Sequence, residues 1–299
     1  GSGLTMLRGT ATNCVFTQCR TSMHVVPAVS MTDGTLTGCT IGPNPMKNGQ
    51  FGRGAIGLYV GGGTVTNCVI TENSIASDCN NPDLLYASGL YLTGSGVVTD
   101  SIICSTRFVS SKQFQASPPV HAAGAVLMGG TLENCHVFAN DYSETYVGNT
   151  YESAGVAVNN SEAVVRNCLI EGNRCGNTHA ESGAGLTIRA GLVDHVTITG
   201  NGPLDGVGTV GGLGVSGGTV KNTIVWGNAA GDASVVGGTV THSCAPELTT
   251  GTGNLAVDPK FRRKGYAIGM HSPCAYAGEG GTYMGYAAPV PDGLTILVR

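Results

Sequence analysis

Gly62-Gly63-Thr64-Val65-Thr66-Asn67-Cys68-Val69-Ile70-Thr71-Glu72-Asn73 is the stretch that decides the fold, because it returns with variation from the first residues to about residue 245. With Cys68 as reference, the equivalent positions are Cys14, Cys39, Ser101, Cys135, Cys168, Val196, Thr223 and Ser243, at steps of 20 to 34 residues. Five residues on stand Asn44, Asn73, Asn140, Asn173, Asn201 and Asn228, with Cys19 and Thr106 as exceptions. One residue before the reference stand Asn13, Asn67, Asn134, Asn167 and Asn222. Columns that keep their chemistry while the spacing drifts mark a solenoid whose loops vary in length.

The period within each copy is not helical. Apolar residues fall at positions minus 3, zero and plus 2, as in Val65, Cys68 and Ile70, or Val165, Cys168 and Ile170. That spacing describes short strands broken at corners. A second strand signal precedes most copies: Leu58 and Val60, Leu90 and Leu92, Val126 and Met128, Val156 and Val158. Stacked at about 4.8 Å per coil, about nine such coils give a rod of roughly 45 Å. The expected fold is therefore all-β, a right-handed parallel β-helix solenoid over residues 1–248, with a C-terminal cap segment over 249–299. Asn at the corners tolerates left-handed backbone angles, and stacked Asn amides can hydrogen-bond along the column.

Composition narrows function. Charged residues make up 11% of the chain, less than half the usual share, and the longest basic run is Arg262-Arg263-Lys264. Nucleic acid binding, which needs a concentrated basic patch, is not expected. No apolar run approaches the roughly 20 residues of a membrane span. The cysteine column reads as buried free thiols acting as small apolar side chains, with no CxxC and no neighbouring His to suggest zinc. Cys244 and Cys274 are the pair placed to tie the cap to the last coil.

Five long insertions leave from one corner, just after the second Asn column: Ser74 to Ser88, Arg107 to Ala123, Asp141 to Ala154, Arg174 to Ala184 and Gly202 to Gly211. They gather most of the chain's charge and aromatic surface on one edge, where function on a rigid scaffold is usually found. The candidate ligand-binding residues are Tyr86, Phe108, Phe114, Tyr142, Tyr146 and Tyr151 as flat faces for sugar rings. Asp141, Glu144, Arg174 and His179 are the hydrogen-bonding partners. The plain alternative is that the insertions pack on one another. An outward column of Val15, Val69, Ile102, Leu169 and Ile224 is expected to lie beneath them, with lateral self-association, there or at the coil ends, as the other reading.

The chain ends in Asn222-Thr223-Ile224-Val225-Trp226-Gly227-Asn228, then Asp258-Pro259-Lys260-Phe261, then Ser272-Pro273-Cys274-Ala275-Tyr276-Ala277-Gly278. In this order the motifs resemble the C-terminal region of bacterial right-handed β-helix repeat proteins of the pectate-lyase-like superfamily. The resemblance covers the whole chain as architecture, and implies a secreted or surface-attached passenger of bacterial origin. Catalytic members of that superfamily act on acidic polysaccharides. A lyase needs a base beside a cation such as Ca²⁺, and a hydrolase needs paired carboxylates on adjacent coils. Neither strand column supplies these, and no metal or catalytic residue is assigned. The column Thr66, Thr99, Glu133, Arg166, Asp194 and Lys221 mixes signs, as a solvated face does. The expected function is a non-catalytic, adhesin-like module displaying loops to a carbohydrate or cell-surface component. A polysaccharide lyase or glycoside hydrolase working from the loop edge, and a structural spacer, are the alternatives.

Overall fold

A computed structural model describes residues 3–19, 26–47, 54–77, 85–110, 120–144, 151–176, 182–204, 210–262 and 265–291. The described chain is all-β apart from short 3₁₀ structure, as at Glu279–Gly281. Every named strand pairs in parallel with the equivalent strand one coil away.

Sheet 1 has 14 strands, nine of them on its main path from Leu4–Met6 through Leu58–Val60, Leu90–Thr99, Ala125–Glu133, Val156–Arg166 and Leu186–Asp194 to Ala233–Val235. In the middle coils these strands run long enough to include the segment that elsewhere is separate, as at Thr64–Thr66. Sheet 2 stacks eight strands, from Val15–Phe16 to Ile224–Val225. Sheet 3 stacks six, from Asn44–Lys47 to Gly202–Pro203, so about six turns pass through all three sheets, fewer than the nine read from the Cys68 column. The difference lies at the two ends, where coils contribute to sheet 1 without a strand in sheet 3.

The apolar positions read from the sequence face one interior. Val65, Cys68 and Ile70, with their equivalents Leu132, Cys135 and Val137, belong to a single buried cluster that runs the length of the stack. These positions stay in register, Val65 with Val98 and Ile70 with Ile103, while register shifts in sheet 1 fall before them, as between Gly94 and Val97. The mixed-sign column is also in register, from Thr99 through Glu133, Arg166 and Asp194 to Lys221. Its charges alternate, and Arg166 sits 2.9 Å from Glu133.

The two Asn columns do different work. Residues one before the reference take left-handed angles, with φ of 52° at Asn67, Asn134 and Asn167, and Asp100, His195 and His242 adopt the same corner at 50°, 52° and 46°. The column five residues on is buried and forms an amide ladder: Asn140 donates to Asn173, Asn173 to Asn201 and Asn201 to Asn228, each at 2.9 Å. Asp232 ends the ladder by accepting from Asn228 Nδ2 at 2.7 Å. A second left-handed corner, at Glu72, Ser105, Ala139, Gly172 and Gly200, immediately precedes these ladder positions.

The cysteine column is more than apolar filler. Each thiol donates to the carbonyl two residues before it, Cys68 to Thr66 at 3.3 Å and Cys168 to Arg166 at 3.1 Å. Ser101 and Thr223 do the same through hydroxyls, to Thr99 at 2.7 Å and Lys221 at 2.9 Å. The sulfur also accepts from the preceding coil, as when Cys39 N–H donates to Cys68 Sγ at 3.4 Å. A short donor-acceptor that satisfies two backbone groups suits the column, which is why Cys, Ser and Thr interchange there, with Val196 the apolar exception. Burial pushes the Cys68 thiol up to about 11, and the Cys168 thiol also upward, so these are inert structural groups. All ten described cysteines are free thiols.

After Thr241 the chain extends sheet 2 by single bridges, Ile224 to Cys244 and Cys244 to Leu255, and then turns back along the outside of that sheet. Tyr286 N–H donates to Thr197 Oγ1 at 3.1 Å, Gly285 N–H to the Asn222 carbonyl at 2.8 Å, and Lys221 pairs with Glu279 at 2.8 Å. The returning segment reaches the coil of Glu171, which Tyr266 contacts and which accepts His136 Nε2 at 2.7 Å. It therefore covers Ile224, and Leu169 is also buried, while Val15 and Ile102 remain 67% and 37% exposed. The outward column expected beneath the insertions is instead covered at one end by the C-terminal segment. The insertions leave from a different corner and project away from sheet 2.

Candidate functional site: the lateral lobe and its neck

The insertions are not loose loops. Their outgoing limbs form sheet 3 and their returning limbs form sheet 4, made of Gly54–Ala55, Leu85–Ala87, Val120–Ala122 and Tyr151–Ser153. A second apolar cluster contains Met46, Ile56, Ile75, Phe108, Ala123, Tyr142, Ala154, Cys175 and Ala184. Phe108 stacks on Tyr142 with centroids 4.9 Å apart, and His121 stacks on Phe108 at 5.7 Å. A third cluster packs Ala55, Ala87 and Ala122 of sheet 4 against Val126 and Ala157 on the outward face of sheet 1. The lobe is thus joined to the solenoid on two sides.

Phe108 and Tyr142, expected as exposed faces for sugar rings, are only 1% and 0% exposed. The physical reason is alternation along the strand: Phe108 and Tyr142 lie in register and point inward, so their neighbours Arg107 and Asp141 point outward. Arg107, Asp141 and Arg174 form a continuous outward column on sheet 3. Arg174 grips Asp141 with both ends of its guanidinium, Nε to Oδ1 at 3.0 Å and Nη2 to Oδ2 at 2.9 Å. Arg107 is exposed, and no described acidic residue lies within ion-pairing distance of it. Among the other expected ligand-binding residues, the backbones of Tyr86, Glu144 and Tyr151 lie in strands Leu85–Ala87, Asp141–Glu144 and Tyr151–Ser153. Phe114, Tyr146 and His179 lie outside the described residues.

His121 is completely buried in the lobe, and desolvation of its charged form lowers its pKa to about 3. It is a neutral ring in an aromatic stack at any ordinary pH. The lobe core is consequently sensitive to acid in a way the solenoid core is not.

The neck through which each insertion leaves and returns is built from two columns. The departing side is the Asn ladder. The returning side is an unbroken glycine column, Gly57, Gly89, Gly124, Gly155, Gly185 and Gly212, each directly before a sheet 1 strand. A Cβ placed on Gly124 would come within 2.4 Å of the Gly155 carbonyl oxygen and 3.1 Å of Asn140 Nδ2. One on Gly155 would come within 2.2 Å of the Gly185 oxygen and 3.1 Å of Asn173 Nδ2. Only glycine allows the two limbs to approach this closely. Thr106 replaces Asn in one coil, and its hydroxyl spans the neck to the Ala123 carbonyl at 2.6 Å. Ser88 Oγ crosses the same gap to the Arg107 carbonyl at 2.9 Å. The neck closes the solenoid interior independently of insertion length, so the insertions can vary without disturbing the main core.

Among the described residues, no group of three or more His, Cys, Asp or Glu side chains is placed to hold a metal ion. No described helix is long and apolar enough to cross a membrane. Comparison with protein-family models, with curated proteins and with solved structures finds no match.

Proposed function

We propose that this chain is a non-catalytic display module of a bacterial surface or secreted protein, and that the outer face of its lateral lobe binds an anionic carbohydrate or cell-surface component. The observation that carries the reading is the Arg107, Asp141 and Arg174 column, held on strands whose inward neighbours stack in a closed aromatic core. Strands fixed from behind and locked at the neck hold charged groups in one geometry, which lowers the ordering cost of binding. Guanidinium groups suit planar carboxylates or sulfates, and the exposed Arg107 supplies one while Asp141 orients the other. The aromatic contribution expected from Phe108 and Tyr142 has no part in this reading, because those rings support the surface from within.

The test is calorimetric titration of the full chain with polygalacturonate and with neutral dextran, alongside an assay for unsaturated uronate and reducing ends, with and without Ca²⁺. Binding to the acidic polymer alone is expected, without product, and Arg107→Ala should weaken it about tenfold. Product formation would replace this reading with the enzyme alternative. Absence of binding to either polymer would leave a structural spacer, whose exposed Val15 and Ile102 on sheet 2 offer an apolar strip for lateral association.

A further inference from the structure

The last coil and the segment that folds back over it meet in a separate buried cluster containing Ile224, Cys244, Ile268, Cys274, Ala275 and Met284, with Trp226 packed against it. Cys244 and Cys274 are both 0% exposed; the Cys274 thiol donates to Cys244 Sγ, whose own thiol donates to the Val257 carbonyl at 3.1 Å. Each is held from its own side. Cys244 N–H donates to the Thr223 carbonyl at 2.8 Å, and Val225 N–H donates to the Cys244 carbonyl at 2.8 Å, which fixes Cys244 in the stack. Cys274 N–H donates to Ser272 Oγ at 3.1 Å, Ser272 Oγ donates to the Pro259 carbonyl at 2.6 Å, and Met284 N–H donates to the Cys274 carbonyl at 3.0 Å. The cysteines of the solenoid column also adjoin one another, yet they link coils that full strand pairing already joins. The Cys244 and Cys274 pair instead spans two segments joined by few strand bridges.

We propose that Cys244 and Cys274 are a site of reversible thiol oxidation, closing a disulfide that fastens the C-terminal segment onto the last coil. The oxidant is an external disulfide of the glutathione type. Cys244, which stays hydrogen-bonded into the stack while the segment bearing Cys274 lifts away, is the attacking group. Its thiolate attacks one sulfur of the external disulfide, forming a mixed disulfide and releasing one thiolate. Cys274, deprotonated, then attacks the Cys244 sulfur and releases the second. Two protein thiols are oxidised, one external disulfide is reduced to two thiols, and the protons pass to solvent. Because both sulfurs are buried, exchange takes place as the segment docks or undocks. The bond would close a loop of about 30 residues, of the size for which cross-linking restricts the unfolded chain appreciably.

Trp226 is the single tryptophan and lies against this cluster, so its fluorescence reports docking directly. The full chain is unfolded and refolded in buffer containing oxidised glutathione or dithiothreitol, its peptides are mapped by mass, and thermal unfolding is followed at Trp226. The expected result is loss of two hydrogens across the Cys244 and Cys274 peptides, with a Trp226 transition about 5 °C or more higher in the oxidised protein. Cys274→Ser and Cys244→Ser should each abolish the difference. Two free thiols at these positions after refolding in the oxidising buffer would overturn the proposal, and this readout needs no variant to fold. A redox difference persisting in both serine variants would also overturn it, by placing the bond elsewhere.

Discussion

Gly155→Ala should destabilise the protein by about 3 kcal/mol or more in urea unfolding, against about 1 kcal/mol for Gly172→Ala. The two glycines separate two physical reasons for the same residue type. Gly172 sits at a left-handed corner with φ of 61°, and a Cβ there meets nothing within 4 Å. Alanine at Gly172 therefore incurs only the backbone cost, and Ala139, at the equivalent corner with φ of 52°, already does. Gly155 lies outside the left-handed region, so its dihedrals admit any residue. What excludes a side chain is the Gly185 carbonyl oxygen 2.2 Å from the Cβ position, with Asn173 Nδ2 and Ile170 Cγ2 both at 3.1 Å. Relief requires the returning limb to move away from the next coil. That movement would strain the hydrogen bond from Val156 N–H to the Gly185 carbonyl, now 2.9 Å, and the adjoining amide ladder. Equal losses for the two variants would show that the neck is not the close approach described.

The second large effect is acid lability of the lobe. The His121 pKa is held at about 3 by burial, against an ordinary value of 6.5. Between those values the unfolded chain binds the proton and the folded chain does not. The stability contributed by neutral His121 is thus fully present above pH 6.5 and is lost progressively as pH falls toward 3. Each pH unit in that window costs about 1.4 kcal/mol, or about 2 kcal/mol by pH 5. His121→Phe keeps a ring against Phe108 and removes the titration. Urea unfolding of both proteins from pH 7.5 to 4.5 should show the native protein losing stability relative to His121→Phe as pH falls. Parallel curves would mean that His121 does not enter the lobe core as a neutral ring.

The solenoid was legible because its signals repeat. Val65, Cys68 and Ile70 recur at fixed offsets, and the register kept at those positions turned the offsets into one buried interior. The lobe core was not legible, because Phe108 and Tyr142 stand in insertions of unequal length. Their inward direction is set by pairing with each other rather than by a local period. Exposed and buried aromatics look alike in such segments. The glycine column was nevertheless present in the sequence. A glycine directly before Leu58, Leu90, Ala125, Val156, Leu186 and Leu213 is a close-approach signal as regular as the Asn column it faces. Asn itself carried two meanings, a left-handed corner at Asn67 and a buried amide ladder at Asn73. Only the stack separates them. The chemistry of the cysteine column was hidden for a similar reason, since the carbonyl each thiol meets lies across a corner.

Native-state hydrogen exchange resolved to single amides shows whether the insertions form a second closed core locked to the solenoid at its neck. The amides of Phe108, Tyr142, Asn140 and Asn173 should exchange about as slowly as those of Val65 and Ile70 in the main interior. Exchange at Phe108 and Tyr142 approaching unprotected rates, with Val65 and Ile70 still protected, would contradict it and return the lobe to a set of independent loops.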